Sequence, residues 1–189
     1  MPLTPERKDS MASEASKSTP PAWVDIVVGV LKANQIDIVP YVPDKVLAPL
    51  IARLHEDAYF TMIPVAREEE GLGIATGAWM AGKRSIVLMQ TSGFATLPNV
   101  LASLVVAFQI PVVMLISERG TMGDHQLAQA IVCRTLVPTL QTLGVEHHRI
   151  TRLDETQFIC DRTIQQAFKT QAPAALILSP LLTNNPAYR

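Results

Sequence analysis

The chain has 189 residues, enough for one domain with a full hydrophobic core plus a tail. Sixteen Lys and Arg against seventeen Asp and Glu leave a net charge of −1, which excludes the basic footprint of a nucleic-acid-binding domain. Two cysteines, Cys133 and Cys160, exclude a disulfide framework and a cysteine-based zinc site, and a charged fraction of only 17% points to a surface shared with another subunit.

Met1 to Pro21 is rich in Ser, Pro, Lys and Glu and has no apolar core. It reads as a disordered tail, not a targeting signal, so a cytoplasmic protein with one domain over 22–185 is expected. Trp23, Ile26, Val27, Val30 and Leu31 form a helical face, and Ile36 to Val42 a short strand. Val46, Leu47, Leu50, Ile51 and Leu54 form a second helical face, and Tyr59 to Val65 is strand-like. Leu72, Ala75, Thr76, Trp79 and Met80 lie on one side of a third helix, followed by a strand from Ser85 to Met89.

Ser85 to Ser117 carries no Asp, Glu, Lys or Arg. Pro98, Asn99, Gln109 and Pro111 interrupt its most apolar part, so a buried helix (Leu97, Val100, Leu101, Leu104, Val105, Phe108) and a buried strand (Val112 to Ile116) are expected, not a membrane span. A helix over about 125–143, bent or broken near Pro138, leads to a short strand at Val145. Asp154-Glu-Thr-Gln157 reads as a capping box opening another helix, and Ala174 to Leu178 is the last strand. Continuous apolar strands alternating with helices predict an α/β, three-layer domain: a mainly parallel central sheet covered on both faces. Ligands bind such sheets beyond the carboxyl ends of the strands.

Four loops follow those ends. In Tyr41-Val42-Pro43-Asp44-Lys45, Asp44 can cap the second helix. In the second loop Glu68, Glu69 and Glu70 open a helix where they complement its dipole, and Gly71, Gly73 and Gly77 follow. Each helical glycine costs about 1 kcal/mol relative to alanine. Gly73 and Gly77 share one face, so a close backbone approach to a neighbour is expected there. In the third loop, Gln90-Thr91-Ser92-Gly93-Phe94, Ser92-Gly93 either cradles an anion or makes an ordinary turn. In the fourth, Arg119 can pair with a carboxylate or phosphate, and His125 can serve as acid, base or polar contact; the alternative for each is an exposed loop residue.

Together these loops resemble the pyrimidine-binding (PYR) domain of thiamine-diphosphate-dependent 2-oxo-acid decarboxylases. The similarity is strongest to the alpha subunit of sulfopyruvate decarboxylase and the equivalent half of phosphonopyruvate decarboxylase. It rests on Val42-Pro43-Asp44, on Glu68 with Gly71-Leu-Gly-Ile-Ala-Thr-Gly77, on Gln90-Thr91-Ser92-Gly93, and on Arg119-Gly120 with Gln129. Counting back from Gly77 makes Glu68 the family's catalytic glutamate, which hydrogen-bonds N1′ of the cofactor's aminopyrimidine. The resemblance further implies cofactor contacts at Pro43, Ser92 and Gly93, and substrate contacts at Thr91, Arg119, His125 and Gln129. Two departures stand out: Ala95 and Thr96 where the family often has Gly and Asn, and Ala78 at a usually aromatic position.

The family's Gly-Asp-Gly motif for Mg²⁺ and diphosphate has no counterpart; Gly123-Asp124-His125 lacks the fitting Asn. The resemblance therefore implies half an enzyme. A beta subunit would bring the diphosphate-binding domain, with Mg²⁺, into a hetero-oligomer whose active site lies between the chains and takes a small 2-oxo acid. The alternatives are a carboligase or lyase subunit acting on aldehydes, for which Phe94, Ala95 and Thr96 make a less polar loop, and a non-catalytic binding module on the same fold.

Overall fold

A computed structural model describes residues 20–188. The tail expected over 1–21 lies almost wholly outside the described residues. Helix α1 (Ala22–Ala33) leads to β1 (Ile36–Tyr41), α2 (Ala48–His55), β2 (Thr61–Pro64), α3 (Glu68–Met80) and β3 (Arg84–Gln90). A one-turn helix α4 (Thr91–Phe94), a turn α5 (Pro98–Val100) and a π-helix (Leu101–Val106) follow. Then come β4 (Val113–Ser117), α6 (Leu127–Thr142), β5 (Glu146–Ile150), α7 (Leu153–Thr170), β6 (Ala174–Leu178) and α8 (Pro180–Thr183).

The six strands pair in parallel in the order β2-β1-β3-β4-β6-β5. The three central strands β3, β4 and β6 are buried nearly end to end, while the edge strands β2 and β5 are largely exposed. That is why the central strands read as unbroken apolar runs and β5 carries Glu146, His147, His148 and Arg149.

Alternating side chains feed two cores. Ile86, Leu88, Val113, Leu115, Leu176 and Leu178 pack under α1, α2 and α7. Val87, Met89, Met114, Ile116, Ala175 and Ile177 pack under α3, the π-helix and α6. From β1 the chain goes to β2 on one side and β3 on the other. This reversal opens a crevice at the carboxyl ends of β1 and β3.

Five local expectations need correction. The π-helix ends at Val106, and beyond Gln109, at φ +54°, the next inward residue after Leu97, Leu101 and Val105 is Ile110, whose N–H donates to the Val105 carbonyl at 2.9 Å; Phe108 points out and is 70% exposed. On α3, Gly71 makes the close approach, since a Cβ there would sit 3.0 Å from Val87 Cγ1, whereas Gly73 and Gly77 face open space. Met80 shares their face and is 80% exposed instead of packed. Helix α6 runs unbroken through Pro138, which lies on its exposed side. At α7 the side chain that reaches back is the Glu155 carboxylate, not the Gln157 amide: it accepts from the N–H of Thr151 at 2.7 Å and of Arg152 at 3.0 Å. Among the described residues, no helix is long and apolar enough to cross a membrane.

Candidate active site

The first turn of α3 sorts its three carboxylates. Arg67, extended at φ −144°, is the N-cap. Glu70 reaches back to accept the Ala66 N–H at 3.0 Å, the usual way to satisfy a free donor at a helix start. Glu69 accepts from Arg67 Nη2 at 2.9 Å, and that hydrogen bond holds its carboxyl below the ordinary range. Glu68 is half-buried and has no hydrogen-bond partner among the described residues. Its side chain lies against Gly93, and a Cβ on Gly93 would overlap the Glu68 carboxylate. The glycine after β3 thus makes the space that the carboxylate after β2 fills.

Thr91, Ser92 and Gly93 form the short helix α4 beside it. Thr91 is fully buried, and its hydroxyl has no partner among the described residues. Ser92 is half-buried and Phe94 sits in the core. Phe94 therefore adds nothing to the loop's exposed surface; only Ala95 and Thr96 do.

A second group joins the ends of β1 and β4. Asp44 Oδ1 accepts the N–H groups of Val46 and Leu47, both at 3.0 Å, and the Ser117 hydroxyl at 2.9 Å. Its Oδ2 faces Arg119 Nη1 at 3.4 Å. Asp44 thus caps the turn into α2, as expected, and also ties strand β4 to that turn. Arg119 Nε donates to Asp124 Oδ2 at 2.7 Å, and the Gly120 N–H donates to the same oxygen at 3.0 Å. Burial pushes the Asp124 carboxyl up, but the Arg119 hydrogen bond and the Gly120 N–H outweigh it and hold it below 3.8. Two glycines pin this loop. Gly120, at φ +74°, packs so closely on α6 that a Cβ would come within 2.6 Å of the Ala130 nitrogen. Gly123, at φ +93°, packs on Pro180.

The other expected site residues are more dispersed. Pro43 is exposed beside Asp44, and His125 is exposed on the far side of the loop. Gln129, in the first turn of α6, buries an Oε1 that has no partner among the described residues. The structure therefore brings Glu68 to Gly93 and Arg119 to Asp44, and no hydrogen bond or ion pair among the described residues links the two groups. Sequence reasoning missed Ser117 and Asp124 and saw only the capping role of Asp44. It also missed Glu118, 3% exposed, which pairs with Arg149 Nη2 at 2.8 Å. Desolvation, with the Glu118 charge, pushes the Cys133 thiol up to about 11, so it is an inert core thiol.

The profile of the family described as "Thiamine pyrophosphate enzyme, N-terminal TPP binding domain" matches residues 22–148. The chain belongs to this family. It is 32% identical over 155 residues to the sulfopyruvate decarboxylase subunit alpha of Methanocaldococcus jannaschii, covering 82% of this chain and 92% of that one. To the subunit alpha of Methanothermobacter thermautotrophicus it is 40% identical over 115 residues, covering 61% and 70%. Among solved structures, a 2-oxoglutarate:ferredoxin oxidoreductase from Magnetococcus marinus superposes with a TM-score of 0.66 at 15% identity. That match covers 86% of this chain and 29% of the oxidoreductase, and it shows a shared fold. Glu68 and Gly93 follow the carboxyl ends of β2 and β3, beside the reversal in strand order where such sheets take a ligand.

Proposed function

We propose that the chain, over 22–185, is the pyrimidine-binding alpha subunit of a two-chain, thiamine-diphosphate-dependent decarboxylase of a small 2-oxo acid. The observation that carries this reading is Glu68. Of three adjacent carboxylates, it alone is left free of the helix start, held in a notch that only a glycine at 93 allows. The residues around it fit the cofactor's pyrimidine half: a free carboxyl for a ring nitrogen, set against the bare backbone of Gly93. When bound, the cofactor supplies the electron sink for loss of CO₂.

The chain's own task is proton handling and orientation. The Glu68 carboxyl holds a proton at N1′ of the pyrimidine and takes it back, and α3 aims that carboxyl by fixing its neighbours to Ala66 and Arg67. The reading assigns Mg²⁺ and the diphosphate to a beta subunit. No group of three His, Cys, Asp or Glu among the described residues offers a metal its ligands. The relatives' designation as alpha subunits supports a partner, and so does the outer face of the α3, π-helix and α6 layer. There Met80, Phe108, Leu127 and Ile131 are all at least 66% exposed.

The test is to purify the tagged chain from its own cells, identify the co-purifying subunit, and assay CO₂ release from 3-sulfopyruvate, phosphonopyruvate and pyruvate. Glu68→Gln should leave the complex assembled and lower kcat by about 10²- to 10⁴-fold, the usual loss for a positioned acid–base group. Unchanged turnover in that variant would refute the reading.

A further inference from the structure

A cavity of about 270 Å³ opens at the carboxyl ends of β1 and β4, on the α2 side of the sheet. Lys45, Val46, Pro49, Arg119, Asp124 and Asn184 contribute to its wall. Its two cations differ sharply. Arg119, whose side chain is 14% exposed, is clamped through Nε by Asp124 and through Nη1 by Asp44. Its plane is set before any ligand arrives, and its charge is already balanced by buried carboxylates.

Lys45 is exposed and has no ion-pair partner among the described residues. It also stands two residues before Leu47, the N-cap of α2. A positive charge there opposes the helix dipole, by about 0.3–1 kcal/mol. A local rule broken without a compensating contact points to a functional demand. Asp44 is 3% exposed at the side chain; Asp124, 11% exposed, borders the cavity but is engaged by Arg119 Nε and the Gly120 N–H, so the unpaired charge in the wall is that of Lys45.

Chemistry decides which anion such a cleft can serve. As CO₂ leaves a 2-oxo acid, the scissile carboxylate loses its negative charge. A cation on that group would stabilise the ground state more than the transition state and slow the reaction. A second anionic group, such as a sulfonate or phosphonate, keeps its charge throughout and is the group a cationic cleft can hold without penalty. Resting on the decarboxylase reading, we infer that the Lys45–Arg119 cleft is the subsite for the distal, non-reacting anion of the substrate. Lys45 is then the residue that selects dianionic 2-oxo acids over pyruvate.

The test uses the complex with its beta subunit and compares Lys45→Met and Lys45→Arg with the parent. In Lys45→Met the ratio of kcat/KM for 3-sulfopyruvate to that for pyruvate should fall about 10- to 100-fold, the range for losing one charge-assisted contact, mainly through KM. Lys45→Arg should restore part of it. By calorimetry, the unreactive dianion 3-sulfopropionate should bind the parent and weaken by a similar factor in Lys45→Met, while thiamine diphosphate binds both alike. An unchanged ratio, equal 3-sulfopropionate affinity, or no binding of it by the parent would overturn the inference. A loss of thiamine diphosphate affinity in Lys45→Met would overturn it too, by giving the cleft to the cofactor. If the parent turns over no 2-oxo acid at all, the decarboxylase reading fails, and the 3-sulfopropionate measurement still decides whether the cleft binds a dianion.

Discussion

Three carboxylates open α3, and their fates differ because their partners differ. Glu70 and Glu69 are spent on the helix start; Glu68 is left over. The same logic runs through the Arg119 clamp, and there it can be read by pH. The folded-state pKa of Asp124 is depressed, so the pair's contribution is fully present above the unfolded value of 3.8 and is lost as pH falls through the lower folded value. Asp124→Asn should therefore lower the Tm of the chain at neutral pH, by an amount worth about 1–3 kcal/mol for a partly buried charged hydrogen bond. The gap between variant and parent should begin to narrow below about pH 4 and go on narrowing as pH falls through the lower folded value. Thermal melts from pH 7 down to pH 3 check this, and a gap as wide at pH 3 as at pH 7 would remove the ion pair as its cause. The family resemblance singles out Glu68 by counting back from Gly77, and the structure adds that its two neighbours are engaged and it is not. The clamp was not legible in the sequence, because Asp44 and Arg119 are 75 residues apart and meet only through the parallel pairing of β1, β3 and β4.

At the scale of the element, α3 holds its glycines for two different reasons. Gly71 touches β3, and a Cβ there must displace Val87. A Cβ on Gly73 or Gly77 would meet nothing within 4 Å among the described residues. Gly71→Ala should then destabilise the isolated chain by about 1–3 kcal/mol through overpacking. Gly73→Ala should stabilise it by about 0.5–1 kcal/mol through helix propensity alone. Urea melts of the two variants separate the cases, and a destabilised Gly73→Ala would mean that the face is not free. Periodicity shows that a helix accepts three glycines; it does not show which one faces the sheet. The π-helix has the same cause in another form. A 3.6-residue period carried past Leu101 puts Phe108 inside, but the helix ends at Val106 and the left-handed turn at Gln109 brings Ile110 in instead, 6% exposed. The parallel sheet itself was legible because β3, β4 and β6 are covered on both faces and so tolerate no polar alternation.

Taken whole, the molecule is polarised. The helices over one core, α1, α2 and α7, present Asp25, Lys32, Arg53, Asp154, Arg162 and Lys169 outward. The layer over the other core presents the open glycines, Met80, Phe108, Leu127 and Ile131. Both layers also carry exceptions, Phe158 on α7 and the carboxylates and Arg134 on α3 and α6, but most of the exposed apolar side chains stand on the second layer. Exposed apolar side chains that pack on nothing contribute little to folding, so Phe108→Asp with Ile131→Asp should change the stability of the isolated chain by no more than about 0.5 kcal/mol per site. At a subunit interface the same two charges would be buried unpaired, which costs several kcal/mol and is enough to break a complex. Co-purification of the tagged double variant should therefore lose the partner while its melting curve stays near that of the parent. If the partner is retained in full, it docks elsewhere, and the exposed apolar side chains of this layer need another explanation.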